Sequence, residues 1–402
     1  MLKEKNKVIL IFVGCYLPGF RGGGPIKTIS NLTASLGDHF DFKIITSDRD
    51  LGSKQPYDNI IVNDWNKVGK ADVYYLSKNF SLSDLKILIN SIQYDCLYLN
   101  SFFSLNFTIK PLLLRKFNMI NNTPVLLAPR GEFSQGALEI KSIKKGIFFF
   151  FARLFSLYSE IIWHASTSAE KEDIKKSLSN NMKSREINVQ IAVQVASDIS
   201  IQADEKLSEY RQEEYLKICF LSRISPMKNL DYALDILKAV KTDVVFDIFG
   251  PKESLEYWEL CAKKIEGMPP NIKVFYKGEV SNHLVRGIFS TYDILFVPTR
   301  GENFGHVFAE ALSVGLPILL SDQTPWRRLE SFNAGWDLPL DRPEKFVEII
   351  EDFSKKSLEH RIQHRCGAKK FYKSQCENSK IIDDNIAILE YVINSNFIEK
   401  KH

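Results

Sequence analysis

The chain has 402 residues, well above the ~100–200 that one domain takes, so two domains are expected. A hydrophobic fraction of 45% and a charged fraction of 25% are those of a globular protein and exclude a disordered or fibrous one. Fifty-three basic against 49 acidic side chains leave only +4, which gives no indication of a nucleic-acid partner, while 28 phenylalanines exceed what a compact core obviously needs.

The start, MLKEKNKVILIFVGC, has the charged–apolar–Gly–Cys order of a secretory or lipoprotein signal. A buried first strand over Val8–Val13 suits it better, because a regular strand–helix alternation follows that needs this strand. Further strands are expected at 42–47, 72–77, 96–100, 125–129 and 161–166. Their apolar residues are consecutive rather than alternate, as in parallel strands covered on both faces. Residues 195–214 turn polar and charged and read as a linker. A second series follows at 217–223, 244–250, 272–278, 294–298 and 317–321, with helical patterns at 229–240 and 304–315. The tail from Cys366 to Phe397 reads as a charged amphipathic helix.

Two such series imply an α/β protein of two Rossmann-like, doubly wound parallel-sheet domains facing across a cleft. The expected domains are 1–200 and 214–379, and the last helix, about 380–402, can pack back on the first. The six cysteines are scattered, with no C-x-x-C pair, as in a reducing cytoplasmic compartment. The most apolar stretch, 146–158, carries Arg153 and is too short for a membrane span.

Ligands of such sheets bind outside the carboxyl ends of the strands. After the first strand, Gly22, Gly23 and Gly24 permit positive φ and close backbone approach, but Pro25 rules out a Walker A loop. A flexible connection is the equal alternative. In the second domain, Arg223 and Lys228 flank a helix start, where the macrodipole disfavours cations unless an anion such as a diphosphate sits among them. Two solvated surface cations are the alternative. Glu302 and Glu310 stand eight residues apart in PTRGENFGHVFAEALSVG, on a helix expected to begin near Phe304. Helical rise puts them up to ~12 Å apart, a spacing that suits one carboxylate on a sugar and the other on a ribose. Glu302 also reads as a favourable charge at a helix start, and Glu310 as an exposed helical glutamate.

GENFGHVFAEAL resembles the E-x7-E motif of glycosyltransferase family 4, the retaining group 1 enzymes of GT-B fold. VPTRGE, SVGLPILLSD and SRISPMKNL resemble that family too, and nearly the whole chain is covered. The resemblance implies that Arg223 and Lys228 stabilise the leaving diphosphate and that Glu310 binds the ribose. It implies that Glu302 contacts the donor sugar, helped by the amides of Asn303, Phe304 and Gly305. Gly22, Gly23 and Gly24 would line the cleft near the phosphates.

The resemblance further implies retention by front-face attack and no metal or other cofactor, the nucleotide-diphosphate sugar being a co-substrate. Asp48-Arg49-Asp50 looks like a D-x-D metal motif but stands in the wrong context, and reads as a loop. Many relatives carry a histidine facing the donor sugar where this chain has Arg130, Gly131 and Glu132, the PRG sequence of a subset that builds bacterial surface polysaccharides. These three are acceptor or cleft candidates; His164 and His306 read as packed or capping histidines.

From Lys110 to Arg153 the chain is locally basic and includes the run Phe148–Phe151 beside Lys144 and Lys145. That suits an anionic membrane surface or a polyprenyl-diphosphate-linked acceptor, and equally a buried helix with its phenylalanines in the core. The expected activity is transfer of a hexose-type sugar from a nucleotide sugar, UDP or GDP type, to a saccharide or lipid-linked acceptor at the inner membrane face. The rivals are a nucleotide-sugar epimerase on the same fold, which would isomerise donor without acceptor, and a non-catalytic nucleotide-sugar-binding protein.

Overall fold

A computed structural model describes residues 6–134, 138, 142–182, 187–196, 214–376 and 379–399. Most of the linker expected at 195–214 and the final residues 400–402 lie outside these. The chain divides into two compact units, Met1–Ser197 with Ser379–His402, and Asp198–Asn378.

Among the described residues the first unit has eight strands: β1 (Lys7–Phe12), β2 (Phe40–Ser47), β3 (Trp65–Val68), β4 (Ala71–Leu76), β5 (Cys96–Leu99), β6 (Val125–Leu127), β7 (Ile161–Ala165) and β8 (Val189–Ile191). Their order in the sheet is β3-β4-β2-β1-β5-β6-β7-β8, and every pairing is parallel except β3 with β4. β1 shows why consecutive apolar residues specify a buried parallel strand. Leu10 and Phe12 enter the core on one face of the sheet, and Ile9, Ile11 and Val13 enter a second core on the other. The strands absent from the sequence reading, β3 and β8, are edge strands with few apolar residues, WNKV and VQI.

One core is covered by the helix Gly24–Leu36, through Ile29, Leu32 and Leu36, and by the helix Ser379–Glu399, through Ile388, Leu389 and Val392. Asn385 donates to the Val193 carbonyl at 2.8 Å, fixing the returning helix beside the end of β8. The tail read as one amphipathic helix is therefore two. Leu358–Cys376 belongs to the second unit and Ser379–Glu399 to the first.

The second unit holds β9 (Leu216–Leu221), β10 (Val244–Phe249), β11 (Ile272–Gly278), β12 (Ile294–Val297), β13 (Ile318–Ser321) and β14 (Gly335–Leu338). Their order is β11-β10-β9-β12-β13-β14, all parallel. The edge strand β14, GWDL, was again too short and polar to read. Both sheets reverse their strand order beside their first strand, between β1 and β5 and between β9 and β12. Crevices at such reversals are where doubly wound sheets receive ligands.

One buried polar chain crosses the first sheet. His164 on β7 is 3% exposed. Its Nε2 lies 2.9 Å from the Ala192 carbonyl and its Nδ1 2.6 Å from the Tyr98 hydroxyl. A carbonyl can only accept, so Nε2 carries the proton and Nδ1 accepts from Tyr98. Burial, with Arg130 nearby, lowers the imidazole from its ordinary 6.5 to about 3. The folded ring stays neutral where the unfolded one takes a proton. Its contribution is whole above pH 6.5 and is lost as pH falls toward 3. The unfolding free energy of the native chain should fall with acid more steeply than that of His164→Gln, by about 1.4 kcal/mol per pH unit within this window. Denaturant titrations at stepped pH check it, and parallel slopes refute it.

Candidate functional site

In the second unit, the loops leaving β9 and β12 flank the strand reversal, and they are laced together. Asn229 is 2% exposed and sits at φ 61°, a left-handed conformation that asparagine tolerates. Its Nδ2 donates to the Pro298 carbonyl at 3.0 Å, and its Oδ1 accepts from Arg300 Nε at 3.0 Å. The Met227 carbonyl accepts from the Arg300 amide at 2.8 Å and from the Thr299 hydroxyl at 3.0 Å. Lys228 and Glu302, 74 positions apart, are thereby brought into contact. Lys228 Nζ donates to Glu302 Oε2, with side chains 12% and 17% exposed.

Lys228 ends a short 3₁₀ turn, Pro226–Lys228, just before the helix Leu230–Ala239. A cation there opposes the helix dipole, and the Glu302 carboxylate offsets it. Glu302 Oε1 accepts in addition from the Asn303 amide at 3.2 Å, while the Glu302 amide donates to the Gln323 carbonyl at 3.1 Å. The carboxylate is thus held, not swinging.

Arg223 is placed differently. Its guanidinium pairs with Glu253 at 3.1 Å, and both side chains are well exposed, 38% and 41%. The surface-cation reading describes Arg223 better than it describes Lys228. What positions the Arg223 loop is the close pass of Gly250 at the end of β10. With φ at 129°, a side chain there would put Cβ 1.9 Å from the Ser222 carbonyl. Only glycine lets the two loops approach this closely.

The helix carrying Glu310 spans His306–Ser313, two residues later than the start expected near Phe304. Gly305, at φ 81°, makes the turn into it, and Phe304 is withdrawn from the helix because its ring packs on Trp326, 5.5 Å between centroids. Trp326 Nε1 donates to the Phe304 carbonyl. A tryptophan 22 positions away therefore sets where the helix begins. Phe304 is 7% exposed, so its ring supports the loop rather than offering a surface, and Glu310 is partly buried in the helix. His306 is 7% exposed and packs on Phe304, 4.7 Å between centroids.

The other candidates lie in the first unit. Gly23, at φ 64°, stands at the N-cap of the helix Gly24–Leu36. Gly22 is tightly enclosed, a Cβ there coming within 2.9 Å of Ile26 and 3.1 Å of Cys15. The segment before these glycines is anchored, Asp50 Oδ2 accepting from the amides of Phe20 and Arg21 at 2.8 and 3.0 Å. Asp48 is 2% exposed and holds Arg49 through both carboxylate oxygens.

Arg130, at φ 54°, follows β6 and donates to the Tyr98 hydroxyl at 2.7 Å and to Asn100 Oδ1 at 2.8 Å. The Gly131 amide donates to Glu170 at 2.7 Å. The Glu132 carboxylate accepts from Ser101 Oγ at 2.8 Å and from the Phe102 and Phe103 amides. Burial pushes its carboxyl up despite these donors. Arg130 and Glu132 are accordingly tied to the loop after β5. Sequence reasoning passed over Asn229, Glu253, Arg300 and Trp326. Asn229 alone left a signal, as the residue between a cation and a helix start.

Residues 202–371 match the glycosyl transferases group 1 family. A protein in the cps region of Klebsiella pneumoniae is 24% identical over 316 residues, 75% of this chain and 82% of the relative. Among solved structures, Anabaena HepE in complex with UDP and glucose superposes with a TM-score of 0.67 at 13% identity, over 96% of this chain and 99% of that one. WaaG, a glycosyltransferase involved in lipopolysaccharide biosynthesis, gives 0.61 at 13% identity, over 92% and 95%. The two parallel-sheet units thus have the GT-B fold of these glycosyltransferases, and the match to the group 1 family, residues 202–371, spans the β9 and β12 loops.

Proposed function

We propose that the chain is a retaining, metal-independent transferase that moves a sugar from a UDP- or GDP-type nucleotide sugar to a glycan or lipid-linked acceptor in cell-surface polysaccharide synthesis. The observation that carries this reading is the Lys228–Glu302 contact at the strand reversal of the second sheet. In this reading the Lys228 cation faces the diphosphate and the Glu302 carboxylate accepts from a sugar hydroxyl. HepE with UDP-glucose, WaaG in lipopolysaccharide biosynthesis and the cps-region relative support the donor class and the setting.

In this reading the acceptor hydroxyl attacks the anomeric carbon on the face from which the diphosphate departs. The C–O bond to phosphate breaks as the new glycosidic bond forms, and the acceptor proton passes to the leaving diphosphate oxygen. The negative charge grows on the diphosphate. Preorganised cations there, Lys228 and Arg223, lower the barrier more than a protein base would. Lys228 is already held by the fold, whereas Arg223 must exchange Glu253 for the donor. Glu302, fixed by Lys228 and the Asn303 amide, orients the sugar, and Glu310 accepts from the ribose.

Among UDP-, GDP-, ADP- and CDP-sugars, a UDP- or GDP-sugar should raise the melting temperature most, because a ligand of the native state stabilises it. A response confined to ADP- or CDP-sugars refutes the donor class. With the donor so identified, Arg223→Ala and Lys228→Ala should each cut transfer by about a hundredfold or more while the melting temperature without donor survives. Near-normal turnover in both variants overturns the diphosphate assignment. Excess EDTA should leave turnover unchanged, and activity restored only by Mg²⁺ or Mn²⁺ would refute metal independence.

A further inference from the structure

The helix Ser142–Leu154 has two apolar faces, of which the fold uses one. Inward, Phe149 and Ala152 are 5% and 3% exposed, and Phe148 packs on the same core. The rings of Phe148 and Phe149 lie 5.6 and 5.5 Å from Phe102, within a cluster that includes Phe133, Tyr158 and Trp163. The helix is therefore firmly seated. Outward, Ile147, Phe150, Phe151, Leu154 and Phe155 are 56%, 64%, 49%, 63% and 53% exposed. Their spacing is i, i+3, i+4, i+7, i+8, one continuous stripe. The Phe155 amide still bonds to the Phe151 carbonyl at 3.0 Å, so the last residue keeps the helical register.

At about 100 Å² apiece, the five side chains expose roughly 500 Å² of contiguous apolar surface. That is near the top of the range for single patches on soluble proteins, where such a patch marks an interaction site.

The charge on the helix says what covers the stripe. SIKKGIFFFFARL contains Lys144, Lys145 and Arg153 and no acidic residue. Arg153 is exposed, and Lys145 Nζ lies 5.2 Å from the Phe103 ring. A second copy on this face would meet it across a two-fold axis and set a basic helix against a basic helix. An anionic lipid surface instead accepts both features, the apolar stripe among the acyl chains and the exposed Arg153 at the headgroups. No helix among the described residues is long and apolar enough to cross a membrane, so the contact would be one of docking.

We infer that the helix Ser142–Leu154, with Phe155, docks the protein in plane on an anionic phospholipid membrane through Ile147, Phe150, Phe151, Leu154 and Phe155. This goes beyond the transfer reaction, and its test needs no turnover, so it can fail while the enzymatic reading stands.

The test is flotation of the full chain with vesicles of phosphatidylcholine alone or with phosphatidylglycerol. The native protein should partition onto the phosphatidylglycerol vesicles, and less so as salt is raised. Phe150→Ser with Phe151→Ser, and separately Leu154→Ser with Phe155→Ser, should each lower that partition about tenfold or more. These side chains are exposed, so melting temperatures should stay native. Arg153→Glu should weaken binding to the anionic vesicles alone. Absence of flotation, or equal flotation of native and variant chains, overturns the inference. A native dimer in sedimentation that both double variants abolish also overturns it, by assigning the stripe to a second copy.

Discussion

The candidate site depends on one buried side chain, Asn229, held between two loops. Parallel strands can only be joined by long crossovers, so β9 and β12 are neighbours in space while 72 residues separate the Met227 carbonyl from the Thr299 hydroxyl that bonds to it. Nothing in the sheet itself aligns the loops beyond the strand ends. Asn229 does so by serving one loop as donor and the other as acceptor, at a backbone angle few residues adopt without strain. Lys228 stands immediately before it, and Glu302 stands two residues after its partner Arg300. Precision in the ion pair is inherited from this asparagine.

The pair itself is an electrostatic compensation at a helix start. Lys228 at the start of a helix is in an unfavourable place, made tolerable by Glu302. In the proposed reaction that cation would already be positioned when charge builds on a leaving group, leaving little reorganisation to be done. Arg223 follows the other strategy. It is partly in water with Glu253, a pairing of small net worth. One cation is enclosed between laced loops and the other is paired at the surface, although both stand in the same sequence motif.

How much of this was legible from sequence follows from where the information sits. The ten interior strands announce themselves because both faces are buried and most of their residues must be apolar, as β1 shows. The edge strands β3, β8 and β14 carry no such requirement, and three or four half-polar residues give no period to read. The motif residues of the site were legible as types and spacings, since cations near a helix start and carboxylates eight apart are local facts. Their partners were not. Glu253, Arg300 and Trp326 matter only through contacts made across the fold, and the helix start at His306 is set by a tryptophan no local pattern connects to it. Arg130 and Glu132 illustrate the same limit: the sequence places both in a loop, while only the fold reveals that β5 and its following loop hold them.

The phenylalanine surplus resolves along the same line. Four consecutive rings on a helix cannot share a face, so the run Phe148–Phe151 must divide, and a count cannot say how. The fold divides it two and two. Phe148 and Phe149 join Phe102, Phe133, Tyr158 and Trp163, and removing them would open a cavity in a close-packed aromatic core. Phe150 and Phe151 lie edge to face, 5.5 Å apart, on the opposite side. Folding gains little from those two, since a polar residue at an exposed helical position is tolerated within a few tenths of a kcal/mol. Apolarity at five successive outward positions of one stripe is thus more than stability requires. A constraint of that kind, absent from the folded unit itself, has to come from what the unit touches.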